Sequence, residues 1–164
     1  MDFDTIYRDY SAKIFRVCLS YINDPDQAAD LTQETFISVW QHLGSFKNEA
    51  TLGTWIFRIA CNKCLRQIEK DARIKKVELP IQLQEMELDN AQEQKHVFLR
   101  NCIGELLELE RIIIGLFMED IPQEKIAEIV GLSHSNIRVK VFRIKEKWFI
   151  AITSTFLKTR KSIS

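Results

Sequence analysis

Apolar side chains recur at three- and four-residue steps along most of this chain. In residues 3–21 they fall at Phe3, Ile6, Tyr7, Tyr10, Ile14, Val17, Cys18 and Tyr21, the spacing of an amphipathic helix. The segment "NDPDQ" then supplies a break and a fresh start. Asp24 suits the N-cap, and Pro25 suits the first helical position, where a missing N–H costs nothing. The next helix is expected to run to about His42 and to turn Ala28, Leu31, Thr35, Val39 and Leu43 inward. Residues 44–54, "GSFKNEATLGT", mix glycines with polar residues and read as a loop. A third helix is expected from about Leu52 to Ile74, with Leu52, Trp55, Ile56, Ile59 and Ala60 inward.

Periodicity fades over residues 75–94, which contain Pro80 and are rich in Glu and Gln. This is the linker, although its later part suits a helix. From about residue 95 the helical pattern resumes through "FLRNCIGELLELERIIIGLFMED", and Pro122 opens two final helices. The pattern predicts an all-α protein: two small helical domains joined by an acidic linker.

Composition supports a globular chain, with 46% hydrophobic and 28% charged residues in 164. No apolar run approaches the roughly 20 residues of a bilayer span, and the acidic, mixed start is not a secretory signal. A cytoplasmic protein is expected. The formal net charge is zero, but its distribution is uneven. Residues 76–119 carry 4 basic and 9 acidic side chains, whereas residues 120–164 carry 9 basic and 4 acidic. Residues 54–76 hold 7 basic against 2 acidic. Two basic segments therefore flank an acidic middle, and for a polyanion such clustering matters more than the total. The same distribution permits the domains to pack together.

The stretch "QEKIAEIVGLSHSNIRVKVFRIKEKW" has the parts of a helix-turn-helix. Ala127 is small enough for a helix crossing, and Gly131 suits a turn that needs positive φ. Ile126, Val130, Leu132 and Ile137 supply the lock between the two helices. The second helix runs inward through Ile137, Val141, Ile144 and Trp148. Ser135, Asn136, Arg138, Val139, Lys140, Phe142, Arg143 and Lys145 lie on its other faces. Such side chains reach phosphates, guanine edges and thymine methyls. Ser133 is the expected N-cap, and His134 suits either a DNA contact or plain exposure. A basic solvated hairpin that only closes a core remains the bland alternative.

The third helix carries a second basic stripe at Arg58, Asn62, Arg66, Lys70 and Arg73. Phe46, Lys47 and Asn48 precede it in the loop, and Trp55 sits in its first turn. Basic groups among aromatics suit unstacked bases, although Phe46 and Trp55 would serve equally as core. The second helix has the opposite character. Asp30, Gln33, Glu34, Ile37 and Gln41 share one face, suited to solvent or to a basic partner helix. Cys61 and Cys64 form a C-x-x-C without a second cysteine pair or nearby histidine to complete a metal set, and they lie within a helical pattern. With no glycine-rich phosphate loop and no nucleophile–base pair, neither catalysis nor a cofactor or metal is expected.

Together "DLTQETFISVW", "TWIFRIACNKCL" and "EKIAEIVGLSHSNIRVKVFRIKEKW" resemble the bacterial extracytoplasmic-function (ECF) sigma factors, over about residues 5–75 and 98–150. "SNIRVKVFRIKEK" is similar to the branch found in Bacteroidetes-type bacteria. The resemblance implies an alternative sigma factor that binds core RNA polymerase and directs promoter-specific transcription initiation. It assigns residues 1–75 to sigma region 2, 76–97 to a linker threading polymerase channels, and 98–164 to region 4. Asp30, Gln33, Glu34 and Ile37 then match the surface for the β′ clamp helices, and residues 106–117 the grip on the β flap. Phe46, Lys47 and Asn48 match the loop that captures a flipped minus-10 base. Trp55, Arg58, Asn62, Lys63 and Arg66 match the helix that reads and melts that element. Ser135, Asn136, Arg138, Val139, Phe142 and Arg143 match the minus-35 reader, with Lys140 on phosphate. An anti-sigma partner, often membrane-bound in this family, is implied as well, and a small-molecule substrate is not.

The chain also departs from the family pattern. "ELLELER" lacks the Leu-Pro that often opens region 4, and "EDIPQEK" replaces a commoner Ser-Tyr-Glu-Glu. Val139 stands where small polar residues are frequent, and the pattern does not explain the residues after Trp148. Two rival readings remain open. One is a helix-turn-helix regulator that does not act through core polymerase; the other is a helical interaction protein that never touches DNA.

Overall fold

The computed structural model describes residues 2–75, 102–104 and 106–161, with side chains described through residue 71 in the first stretch and residue 150 in the last. The expected linker, 76–97, lies outside the described residues, as does Arg73's side chain. The elements are α1 (Phe3–Ile22), α2 (Pro25–His42), a 3-10 turn (Leu43–Ser45), α3 (Leu52–Lys75), α4 (Glu108–Met118), α5 (Gln123–Val130) and α6 (His134–Lys161). Among the described residues there is no strand, and the fold is all-α.

Local chemistry accounts for the boundaries. Asp24 Oδ1 accepts from the backbone N–H of Asp26 at 2.9 Å and of Gln27 at 3.0 Å, satisfying two orphan donors at the start of α2. Helix α5 ends at Gly131, whose φ of 74° is cheap only without a Cβ. Ser133 Oγ then accepts from Asn136 N–H at 3.2 Å, the N-cap expected for α6.

Two expectations are corrected. The pattern from residue 95 to 120 suggested unbroken helix, but the chain turns at Leu107, in extended geometry, before α4 begins. The buried Glu110 carboxylate receives the Leu107 N–H at 3.4 Å. Arg111 bridges the gap by donating to the carbonyls of Leu106 (3.0 Å) and Gly104 (2.7 Å). Secondly, Tyr7 is not interior: it is 49% exposed, with its ring edge-on to Phe36 at 4.8 Å. The tail beyond Trp148 continues α6 to Lys161.

One hydrophobic cluster runs through both halves. Ile6, Ile14, Val17, Tyr21, Leu31, Phe36, Val39, Ile56 and Phe57 meet Ile112, Ile113, Leu116, Ile126, Ile137 and Val141. Helix α4 packs on α1, and α5 on α3. At the α1–α4 crossing Gly115 faces Ser20 so closely that a methyl group at 115 would overlap the Ser20 hydroxyl. A Cβ there would push the Ser20 hydroxyl from the 2.8 Å hydrogen bond it donates to the Val17 carbonyl.

Candidate nucleic-acid and polymerase interfaces

The helix-turn-helix is built as its lock residues demand. Ile126 and Ile137 are fully buried, Ala127 sits at the crossing, and Val130 and Leu132 pack against the same cluster. With Ile137, Val141 and Ile144 turned inward, the 3.6-residue period leaves Ser135, Asn136, Arg138, Val139, Phe142 and Arg143 exposed and Lys140 half-buried. Val139 and Phe142 are 48% and 62% exposed, unusual for large apolar groups beside two arginines. Ser135, Arg138, Val139 and Phe142 line a shallow cleft with Gln123 of α5. Two residues of this region are tied within the fold. His134 Nε2 lies 3.3 Å from the Glu124 carboxylate, and Lys145 Nζ sits 4.3 Å over the Phe117 ring.

A second cleft of about 460 Å³ lies where the 44–51 loop meets α3, and it brings Phe46, Lys47, Trp55 and Arg58 together. The half-buried Phe46 and Trp55 rings lie 4.9 Å apart at 34° and wall the cleft, and Trp55 also packs against the core cluster. Asn48, on the same loop, has φ of 57°, a left-handed conformation that asparagine tolerates better than most residues. Asn62, Arg66 and Lys70 continue the stripe in exposed positions.

Lys63 and Arg58 face other elements than the stripe. Lys63 Nζ turns toward α2 and lies 3.7 Å from the Glu34 carboxylate, linking the basic helix to the acidic one. Arg58 Nη2 donates to the Glu128 carbonyl at 3.0 Å, and the Glu128 carboxylate is 3.9 Å away. That carbonyl belongs to the last turn of α5, where helical acceptors lack partners and the dipole is negative.

Asp30, Gln33, Glu34, Ile37 and Gln41 are all exposed on α2. Ile37 is 51% exposed, and Trp40, three residues on, is 66% exposed. Trp40 was missed at the sequence level, although its i+3 spacing from Ile37 places it on the same surface. His42 was missed too. It lines the Phe46–Trp55 cleft, and its Nδ1 lies 2.8 Å from the Ser38 carbonyl.

The C-x-x-C gains a third member from α1. Cys64 Sγ lies 3.6 Å from Cys18 Sγ, Cys61 is buried nearby, and all are free thiols. Burial pushes the Cys61 thiol up. Cys64 is pushed up first by the hydrogen bond it donates to Cys18, then by burial. Cys61 and Cys64 are thus packing groups with little thiolate character, whereas the hydrogen bond from Cys64 lowers Cys18. Among the described residues no group of three or more His, Cys, Asp and Glu is placed to hold a metal ion, and no helix is long and apolar enough to cross a membrane.

With these surfaces in place, residues 6–74 match the family model for sigma-70 region 2. Over most of its length the chain is similar to RNA polymerase sigma factors. It is 23% identical over 150 residues to the sigma factor SigV of Bacillus subtilis, covering 91% of this chain and 90% of that one. It is 25% identical over 154 residues to the ECF sigma factor SigM of the same organism, covering 90% and 93%. Among solved structures, the sigma factor RpoE of Bartonella quintana, crystallised with the anti-sigma factor NepR, shares the fold. Its TM-score is 0.76 at 23% identity, over 89% of this chain and 93% of that one.

Proposed function

We infer that the protein is an alternative sigma factor of the ECF type, which binds core RNA polymerase and directs promoter-specific initiation. The observation that carries this reading is the separation of three surfaces on one small chain. They are an acidic face with exposed Ile37 and Trp40, an aromatic cleft heading a basic stripe, and a basic reading helix. A stand-alone helix-turn-helix regulator needs only the last.

The roles divide accordingly. Asp30, Gln33, Glu34 and Ile37, joined by Trp40, dock on the β′ clamp helices, and residues 106–117 engage the β flap. The Phe46–Trp55 cleft receives an unstacked minus-10 base, with Lys47 and Arg58 at its rim and Asn62 and Arg66 along the strand. Arg138, Val139, Phe142 and Arg143 read the minus-35 major groove, and Ser135, Asn136 and Lys140 sit near phosphate at the capped helix start. Residues 1–75 are region 2, 76–97 a linker and 98–164 region 4. The protein acts in the cytoplasm as a specificity subunit without catalysis of its own. An anti-sigma factor is its natural regulator, as the Bartonella protein was crystallised with one. The "SNIRVKVFRIKEK" segment supports a Bacteroidetes-like origin.

The deciding experiment adds purified protein to bacterial core RNA polymerase with a promoter library and scores transcripts. New, protein-dependent start sites are expected. Specific duplex binding without polymerase association would instead support the regulator reading.

A further inference from the structure

Helix α6 presents two unlike kinds of side chain to solvent. Arg138 and Arg143 are exposed, and among the described residues neither makes a hydrogen bond or an ion pair. Between them in sequence stand Val139, 48% exposed, and Phe142, 62% exposed. The fold itself needs no apolar group at either place, because Ile137, Val141 and Ile144 already supply the inward stripe. Three residues apart, Val139 and Phe142 are neighbours on the helix surface. Both line the shallow cleft of about 510 Å³ that includes Ser135, Arg138 and Gln123 of α5. Lys145 also lines that cleft, but its ammonium group is drawn over the Phe117 ring. What remains is an apolar pair with a free guanidinium beside it.

The chemistry of that pair restricts what it can recognise. In a helix-turn-helix the second helix enters the major groove, and its first turns meet base edges. There adenine, guanine and cytosine offer only hydrogen-bonding groups, whereas thymine adds an apolar one, the C5-methyl. An apolar side chain pressed on an amino group or ring nitrogen removes it from water and returns no hydrogen bond, which costs affinity. Pressed on a methyl, it buries carbon against carbon, an effect of about fourfold in affinity per carbon. Valine suits that contact, since branching at Cβ leaves it little rotamer freedom to lose. A serine at the same place would carry a hydroxyl that both donates and accepts, and so would tolerate any base. The rise from residue 139 to 142 is about 4.5 Å and a base step is about 3.4 Å, so the pair faces one step or two neighbouring ones.

We propose that Val139 and Phe142 form a slot for the 5-methyl group of a pyrimidine, so that the minus-35 element of this protein carries thymine there and 5-methylcytosine substitutes for it. This rests on the sigma-factor reading for the assignment of α6 to duplex DNA, and adds the chemical group that is read. Arg138 and Arg143 flank the slot and hold phosphates or guanine edges on either side. An element with cytosine at that step is then recognised well only when the cytosine is methylated.

The test starts by selecting duplexes from a library randomised over the upstream element. The full chain is used both reconstituted with core RNA polymerase and alone. The best duplex is remade with each thymine in turn replaced by deoxyuridine, which removes the methyl and nothing else. One position, or two neighbouring ones, should lose about fourfold in affinity, while the others stay within about twofold. At the sensitive position, 5-methylcytosine opposite guanine should bind about fourfold tighter than cytosine opposite guanine. Val139→Ser should abolish both differences. A selected duplex insensitive to deoxyuridine throughout overturns the proposal, as does a methyl effect that survives Val139→Ser, or a chain that selects no sequence at all. If Val139→Ser loses its helical circular dichroism, the deoxyuridine and 5-methylcytosine comparisons on the wild type decide. A methyl effect with the chain alone, but no association with core polymerase, would overturn the sigma-factor reading and still support the slot.

Discussion

Ile137 and Val139 stand two residues apart in α6, and truncating each to alanine should have opposite consequences. Ile137 is fully buried between the two helices of the helix-turn-helix, whereas Val139 is 48% exposed beside Arg138. Ile137→Ala deletes three carbons from a closed core. At about 0.8 kcal/mol per carbon that is roughly 2.4 kcal/mol of lost burial, and the residual cavity brings the cost to about 3–4 kcal/mol. Typical domain stabilities are about 5–15 kcal/mol, so the loss is large. For a chain of this length it lowers the thermal midpoint by on the order of 10 °C. Val139→Ala removes two carbons already in contact with water and should stay within about 0.5 kcal/mol of wild type. The assay is thermal and urea unfolding followed by circular dichroism, paired with duplex binding across a set of minus-35 variants. Val139→Ala should leave the unfolding curve in place and shift base preference. Ile137→Ala should move the curve and weaken all duplexes alike. Equal midpoints for the two variants would refute the assignment of the lock face and the reading face.

Asp24→Ala should cost about 1 kcal/mol by stranding the Asp26 and Gln27 N–H groups, and Asp24→Asn should recover most of it in the same melts. Arg138→Ala and Arg143→Ala should each weaken duplex binding. Wherever the lost contact was to phosphate, the slope of log affinity against log salt should fall by about 0.9, read from titrations between 50 and 200 mM salt. Asp30→Arg and Glu34→Arg should lower affinity for core polymerase while leaving duplex binding by the full chain intact. Trp55→Ala should reduce open-complex formation on premelted and duplex templates by about 1–3 kcal/mol, the scale of one aromatic–base stack, without lowering polymerase affinity.

The helices were legible because their signals are local. The 3.6-residue period of α1, the Asp-Pro start of α2 and the Gly-Leu-Ser break before α6 each act within a turn or two of chain. The exposed positions of α6 were legible for the same reason, since fixing Ile137, Val141 and Ile144 inward fixes which way everything between them faces. What escaped depends on partners distant in sequence. Nothing local shows that Arg58 meets a carbonyl 70 residues away, or Arg16 a carboxylate 103 residues away. Lys63 was read with the DNA stripe because it neighbours Asn62, but one step along a helix rotates a side chain by about 100°, enough to point it at Glu34. The break at Leu107 was hidden because its cap is Glu110, with no Ser, Thr, Asp or Asn to mark it. Cys18 gave no sign of joining the C-x-x-C, since a single cysteine on an apolar stripe is indistinguishable from core.

Helix α6 has a mechanical property apart from the chemistry of its first turns. Its 28 residues form one rod of about 42 Å, with Ile137, Val141 and Ile144 anchored inward, and its last 13 residues run roughly 20 Å past Trp148. The first turns of α6 and its far tip are therefore the two arms of a lever about that anchored segment. A tilt of about 10° imposed at the tip would swing it by several ångströms and turn the first turns by the same angle. The N-terminal end of α6 is thus mechanically addressable from its opposite end, without any contact being made at its first turns.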